Sequence, residues 1–186
     1  MEEIVAASAS APTGVERFFA DDEIIVSKTD PHGKITYVND VFIRVSGFEE
    51  ADLIGAPHSL IRHPGMPRGV FKLLWDTIQS RREIFAYVMN LCRTGEHYWV
   101  LAHVTPTFGP RGDIVGYHSN RRVPSREAMG AILPLYDRML AEERRHERKP
   151  DGAAASVRLL EQVLAERGVS YDEFVWSLEN KVGAAC

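Results

Sequence analysis

Five short stretches of the chain alternate hydrophobic and polar residues with the period of two that is typical of β-strands. Turn-forming residues separate them, and Asp30-Pro31-His32-Gly33 places proline and glycine at the second and fourth positions of a tight turn. The predicted strands are residues 23–29, 34–38, 84–92, 97–107 and 114–122. Since helical spacing separates the second strand from the third, we predict an α+β fold built on a sheet.

Helical spacing replaces the alternation between the second and third predicted strands. Asn39-Asp40 offers a cap for a helix over residues 41–46, which Gly47 ends, and a second short helix follows over residues 49–54. A longer helix over residues 68–80 carries one apolar stripe, which we expect to face the core: Val70, Phe71, Leu74, Trp75 and Ile78.

The two ends of the chain differ in composition from this centre, so we divide the chain into three parts. Residues 1–20 are predicted to be a leader and cap, with a mobile start and a short helix around residues 15–20. Residues 21–124 form the sheet domain, and residues 125–186 form a helical extension.

Three helices are predicted in the extension, over residues 125–148, 153–167 and 171–182. Ser125 caps the first of them, and Pro134 is predicted to kink or break it. The sequence Lys149-Pro150-Asp151-Gly152 is predicted to interrupt the helical structure. The last helix has an apolar stripe that either packs back on the sheet domain or meets a partner.

Charge and composition exclude several classes of protein. A formal charge of -4 and scattered basic residues do not favour nucleic-acid binding. The two cysteines, Cys92 and Cys186, form neither a disulfide framework nor a CxxC site. The start of the chain is acidic, and no apolar run reaches the roughly 20 residues of a membrane span. We therefore expect a protein of the reducing cytoplasm, without membrane insertion.

Arg62 and His63 lie in a loop that Pro64 and Pro67 hold extended ahead of the third helix. A guanidinium in such a place offers a forked set of donors for a phosphate, a carboxylate or a flavin carbonyl, with an imidazole beside it. The competing interpretation is a solvated loop, since basic loop residues commonly contact only water.

A larger set of residues resembles a known family. Asp30 to Asn39, followed by Phe42, Ser46-Gly47-Phe48 and Leu53-Ile54-Gly55, resembles a PAS domain. The continuation resembles the flavin-binding PAS module of bacterial aerotaxis receptors: Pro57-His58, Arg62-His63-Pro64, Met66-Pro67, Phe71, Trp75 and Thr94 to Val100. This resemblance, over residues 21–124, implies a five-stranded antiparallel sheet of order 2-1-5-4-3 with helices over one face.

In the aerotaxis group, the resemblance implies noncovalent FAD between helices and sheet, with its redox state read out as a conformational signal. It makes six residues candidates for cofactor binding: Asn39, Arg62, His63, Trp75, Phe85 and Asn90. The simpler interpretation of Trp75 is a core residue that does not stack on a cofactor. Gly65 replaces an acidic residue of the family, and Ile84-Phe85 stands where the family has tryptophan. A pocket with another small ligand, or with none, is therefore the alternative.

Other cofactors are not expected. Cys92 lies in a predicted strand rather than in the helix motif of blue-light PAS domains, so thiol-adduct photochemistry is not supported. Single histidines on strands are more often packed or exposed than bound to haem. His97 and His103 stand roughly 20 Å apart on a straight strand, which is too far for one metal ion.

The sequence contains no nucleophile elbow, no phosphate-binding glycine loop and no kinase or cyclase motif, so we do not expect an enzyme. We expect a nearly stand-alone PAS regulator that senses redox state or oxygen through FAD, or binds another small ligand. Its partner would be a histidine kinase or a chemotaxis component, and we expect a homodimer. The alternative is a cofactor-free adaptor that controls motility or the cell cycle by localisation and partner binding.

Overall fold

The computed structural model describes residues 10–183, with side chains up to residue 179. One antiparallel sheet has the order β2-β1-β5-β4-β3, which confirms the predicted fold. The strands are β1 Ile25–Thr29, β2 Ile35–Val38, β3 Ile84–Leu91, β4 His97–Phe108 and β5 Ile114–Arg122. The helices are α1 Asp40–Ser46, α2 Glu50–Leu53, α3 Arg68–Gln79, α4 Arg126–Glu143, α5 Lys149–Arg167 and α6 Tyr171–Gly183, with a 3-10 helix at His58–Ile61.

The helices between β2 and β3 cover one face of the sheet, which we call the inner face. Along β4 the residues that point to this face are buried, namely Tyr98, Val100, Ala102 and Val104. They join apolar residues of α1 and α3 in one core, because each helix buries its apolar stripe against the sheet. The predicted alternation along this strand is therefore confirmed.

The predicted helix over residues 15–20 is wrong, because this segment is extended. Glu16 forms a parallel bridge with His97 at the start of β4. The His97 amide donates to the Val15 carbonyl at 2.9 Å, and the Arg17 amide donates to the His97 carbonyl at 2.7 Å. A helix this short is marginal in water, whereas the edge of the hairpin satisfies the same backbone groups. Residues 1–9 of the predicted leader lie outside the described residues.

The predicted interruption at residues 149–152 is also wrong, because α5 begins at Lys149. Proline is well tolerated in the first turn of a helix, where its missing N–H has no intrahelical partner. A Cβ on Gly152 would lie 2.9 Å from the Glu143 carbonyl oxygen, so glycine allows the close approach of α5 to the end of α4. The interruption lies earlier, since α4 ends at Glu143, and Pro134 does not break that helix.

The helical extension packs back on the sheet domain, which decides between the two predicted alternatives. Helix α5 lies against α3, and α6 lies against β3. The Tyr136 hydroxyl of α4 donates to the Tyr87 carbonyl at 2.7 Å, and the Tyr171 hydroxyl of α6 donates to the Phe85 carbonyl at 2.9 Å. These two tyrosines occupy backbone acceptors on the outer edge of β3 that would otherwise be open to another strand.

Cys92 follows the last residue of β3 and is buried with a free thiol. Burial raises the pKa of this thiol to about 11, so it is protonated at neutral pH. Cys186 lies outside the described residues. Over residues 10–183, no helix is both long enough and apolar enough to span a bilayer.

Candidate functional site

A cavity of about 400 Å³ lies between α3, the 3-10 helix and the inner face of the sheet. This volume is within the range of small-molecule sites in proteins. Its walls are largely apolar and come from α3, β3 and β4: Phe71, Leu74, Ile78, Val88, Ala102 and Val104. Polar side chains occur at two places, a buried floor and an open mouth.

Two backbone bridges hold the loop that closes the cavity. Lys34 pairs with Pro57, which places the 3-10 helix beside β2, and Arg62 pairs with Asn90 on the edge of β3. The loop is therefore attached to the sheet at both ends. Two predicted site residues, Arg62 and Asn90, meet at the second bridge, and both line the cavity.

Arg121 of β5 forms the floor, with only 5% of the residue exposed. Its Nη2 donates to Ser27 Oγ at 2.9 Å and to His58 Nε2 at 2.7 Å. The guanidinium carbon lies 5.6 Å from the centre of the Phe42 ring. Its Nη1 is buried, and so are Asn90 Nδ2 and Ser119 Oγ, and none of the three has a hydrogen-bond partner among the described residues.

Burial lowers the pKa values of both basic groups at the floor. It lowers the pKa of Arg121 to about 10, so the guanidinium is still charged at neutral pH. Burial, together with the nearby Arg121 charge, lowers the pKa of His58 to about 3. His58 is therefore neutral, and its Nε2 accepts hydrogen bonds, which places the ring proton on Nδ1.

Three basic residues line the mouth: Arg62, Arg68 and Lys72. The Arg62 guanidinium carbon lies 3.9 Å from the centre of the Phe71 ring, in cation–π geometry. Burial and the neighbouring Arg68 charge lower the pKa of Arg62. Lys72 is paired with Asp76 at 2.8 Å on the exposed side of α3. The mouth is therefore a basic rim around an apolar cavity.

Trp75, one of the predicted site residues, lines the cavity on α3. Its ring stands at 89° to the Tyr117 ring, with ring centres 5.5 Å apart. A Cβ on Gly33 would lie 3.0 Å from the indole, so the turn after β1 requires glycine both for this contact and for its φ of +80°. The indole is thus held in the wall and half-buried there.

Three of the predicted site residues do not line the cavity. Asn39 caps α1, with its Oδ1 accepting from the Phe42 and Val26 amides at 3.1 and 3.0 Å. His63 points away from Arg62, toward the His97 ring at 5.7 Å, because successive residues of extended backbone face opposite sides. Phe85 lies on the outer face of the sheet and stacks on the His103 ring at 4.1 Å.

Sequence reasoning missed the floor residues Arg121, His58 and Ser119. Period-two alternation along β5 puts Arg121 and Arg122 on opposite faces, but which of them faces inward depends on strand register. Pairing of Arg121 with Ala102 and Ile25 settles this, because both of those residues are buried on the inner face. Over the described residues, no cluster of three or more potential ligands is placed to hold a metal ion.

The sequence comparisons agree with this architecture. The family model described as PAS fold matches residues 35–121. The chain is 39% identical over 117 residues to the aerotaxis receptor of Escherichia coli K12, covering 63% of this chain and 23% of the receptor. It is 29% identical over 99 residues to a nitrogen fixation regulatory protein of Klebsiella pneumoniae, covering 53% of this chain and 20% of that protein. The chain thus spans about a fifth to a quarter of these curated relatives.

Solved structures show the same fold. A light-oxygen-voltage domain studied with a flavin analogue superposes with a TM-score of 0.55 at 15% identity, covering 60% of this chain and 85% of that domain. The dark structure of the Aureochrome1 LOV domain gives a TM-score of 0.54 at 18% identity, with coverages of 59% and 82%. Sheet order, the family match over residues 35–121 and the similar structures together show that the sheet domain of this chain has the PAS fold.

Proposed function

We propose that this chain is a cytoplasmic, non-catalytic sensory module whose cavity binds a flavin nucleotide, with FAD as the expected form. The observation that carries the proposal is an apolar cavity with a basic rim and unsatisfied donors at its floor. Similarity to the aerotaxis receptor at 39% identity supports the same ligand class. We assign sensing to residues 21–124 and treat residues 125–186 as their extension.

The residues present fit a flavin. Leu74, Ile78 and Val88 offer an apolar slot for the ring system, and Trp75 supplies an aromatic wall. The Asn90 side chain lines the cavity, and we assign its amide to a ring carbonyl as a hydrogen-bond donor. A bound flavin supplies a ring whose charge and protonation change on reduction.

The rim explains why we propose a nucleotide rather than riboflavin. Arg68 is close enough for its charge to disfavour the charge on Arg62, and an anion bound at the rim would offset that repulsion. Arginine offers forked donors that match phosphate oxygens. We therefore assign the phosphates to the rim and the ring system to the cavity.

Helix α3 is the proposed route from the cavity to a partner. It carries Phe71 and Trp75 on the cavity side and packs against α5 on the other. A change of ligand charge that moves α3 would therefore also move the extension. We propose that a histidine kinase or a chemotaxis component, or a second copy of this chain, reads that movement.

Flavin titrations of the purified protein test the proposal. We expect a flavin absorbance spectrum, and quenching of flavin fluorescence on binding of FMN or FAD. The double substitution Arg62→Ala and Arg68→Ala should weaken binding of both nucleotides by tenfold or more, on the order of one or two charged hydrogen bonds, and leave riboflavin binding nearly unchanged.

Arg111→Ala is the control, because Arg111 is exposed in the β4–β5 turn and does not line the cavity. Equal losses for riboflavin and the nucleotides would reject the assignment of phosphate to the rim. A colourless protein that binds none of the three flavins would reject the flavin proposal and favour the cofactor-free adaptor.

A further inference from the structure

The carboxylate of Glu143 joins the helical extension to the helix that carries the cavity mouth. Glu143 is the last residue of α4, and its Oε1 accepts from the Gly69 amide of α3 at 2.9 Å. The same oxygen accepts from Ser156 Oγ of α5 at 2.7 Å. One side chain therefore holds the corner between α4 and α5 against the start of α3.

This contact meets a need of α3 that its own sequence does not meet. The first amides of a helix have no intrahelical acceptor, and Pro67 before α3 has no side chain that could cap them. The sequence of the first turn contains Arg68 and no acidic residue. Glu143 supplies both the acceptor and a negative charge at the positive end of the helix.

The charge of Glu143 is also felt at the cavity mouth. Glu143 opposes part of the decrease in the pKa of Arg62 that burial and Arg68 cause. The two donors to Glu143, an amide and a hydroxyl, are neutral, so they orient the carboxylate without cancelling its charge. Among the described residues, no aspartate or glutamate lines the cavity itself. Glu143 is thus a fixed negative charge behind the basic rim.

We infer that Glu143 weakens the binding of anionic ligands at the rim and couples the charge of the ligand to the helical extension. The inference rests on the proposed function for the ligand, a flavin whose phosphate lies at the rim. Arg62 is charged at neutral pH with or without Glu143, so the effect of Glu143 on a bound phosphate is repulsion. Because coupling between two sites is reciprocal, a bound phosphate should also weaken the contact of Glu143 with α3.

The test compares Glu143→Gln with Glu147→Gln in the full-length protein. Glutamine keeps an oxygen acceptor for Gly69 and Ser156 and removes the charge. Glu147 is the matched control, because it is exposed in the turn between α4 and α5 and its substitution changes the net charge equally. Glu143→Gln should bind FMN roughly three- to tenfold more tightly, because one like charge near the phosphate is removed. Its affinity for riboflavin should be unchanged, and Glu147→Gln should change neither affinity.

The ratio of the two affinities separates this inference from a purely structural role. If Glu143→Gln changes the FMN and riboflavin affinities by the same factor, or changes neither, the inference is rejected and the flavin proposal stands. If Glu143→Gln does not fold, hydrogen exchange of the Gly69 amide in the parent chain decides. That exchange should be faster with saturating FMN than with saturating riboflavin, and equal rates overturn the inference.

A failure of the flavin proposal has a different signature. If the parent chain binds no flavin, that proposal falls, and thermal shifts with sodium pyrophosphate test the charge of Glu143 alone. A larger stabilisation of Glu143→Gln than of the parent chain and Glu147→Gln supports the inference for an anion at the rim. Equal stabilisation of the three proteins, or none, overturns it.

Discussion

At the scale of single residues, neighbours in sequence have separate environments in this domain. Arg121 is enclosed at the cavity floor, whereas Arg122 is exposed and paired with Glu179. Arg62 lines the cavity mouth, whereas His63 turns toward His97. In each pair, extended backbone sends adjacent side chains to opposite sides. Residue type therefore indicates candidate chemistry, and register decides which candidate reaches the ligand.

His58 should make the stability of the protein sensitive to mild acid. Its pKa is lowered from 6.5 to about 3 by burial and by Arg121, so the unfolded chain binds a proton that the folded chain excludes. The free energy of unfolding should therefore fall as pH drops below 6.5, by up to about 1.4 kcal/mol per pH unit. His58→Gln keeps an acceptor for Arg121 and removes this dependence. Urea unfolding at pH 7.0, 6.0 and 5.0 measures the difference between the two chains.

Burial also lowers the pKa values of His63 and His118, so the parent chain and the His58→Gln variant should both lose some stability between pH 7.0 and 5.0. The contribution of His58 is the difference between the two proteins in the slope of the unfolding free energy against pH. Parallel slopes would mean that His58 takes up its proton in the folded state at the same pH as in the unfolded chain.

The candidate site could be predicted only in part from the sequence. Arg62, Trp75 and Asn90, three of the predicted site residues, line the cavity, and their roles in cofactor binding stay predictions. Phe85 and Asn39 are placed elsewhere, because one lies on the outer face and the other caps α1. The floor around Arg121 arises from pairing between strands distant in sequence, which no local pattern contains.

At the scale of elements, strands were easier to predict than the ends of helices. The hydrophobic alternation gave all five strands, since each has one face in the core. The predicted start of α5 at residue 153 is wrong, because Pro150 and Gly152 act as breakers only in isolation. In the structure, Pro150 occupies the first turn of α5, and Gly152 leaves room for the backbone of Glu143. Tertiary packing therefore reversed the local signal.

Gly69 should be indispensable to the contact between α3 and α5. A Cβ at this position would lie 2.2 Å from Ser156 Oγ and 3.2 Å from the Ala153 carbonyl. Gly69→Ala should therefore destabilise the protein by about 1–3 kcal/mol, as for overpacking of a core. Gly130→Ala is the matched control in α4, where nothing lies within 4 Å, and it should stabilise by about 0.5–1 kcal/mol. Urea unfolding gives both values.

A second substitution identifies the clash. Ser156→Ala removes the hydroxyl oxygen that the new methyl group would meet, so the double variant should be more stable than the sum of the two single changes predicts. Part of the cost should persist, because the Ala153 carbonyl stays close and Glu143 loses its 2.7 Å hydrogen bond from Ser156. If the effects of the two single changes on the free energy of unfolding add strictly, the cost of Gly69→Ala arises from a contact other than the one with Ser156.

At the scale of the whole molecule, the extension and the sheet domain share one hydrophobic core. Tyr136, Met139 and Phe174 belong to the same buried cluster as the strand residues. The Tyr87 hydroxyl donates to Glu179 at 2.7 Å, which ties the middle of β3 to α6. The sequence left open whether the last helix packs on the domain, because an apolar stripe fits either a core or a partner. Contacts between side chains distant in sequence settle that question.

The shared core predicts that the PAS domain and its extension unfold together. Tyr136→Phe leaves the buried Tyr87 carbonyl without its donor and should cost about 1–2 kcal/mol. In a chain with Trp75→Phe and Trp99→Phe, the fluorescence of Trp176 reports on α6, and far-ultraviolet circular dichroism reports on the whole chain. Both urea midpoints should coincide, and Tyr136→Phe should lower them equally.

The exposed Tyr37→Phe is the control and should move neither midpoint. If the Trp176 fluorescence changes at a lower urea concentration than the circular dichroism, the extension unfolds independently of the sheet domain. The hydrogen bond from the Tyr136 hydroxyl to the Tyr87 carbonyl would then not couple the extension to β3.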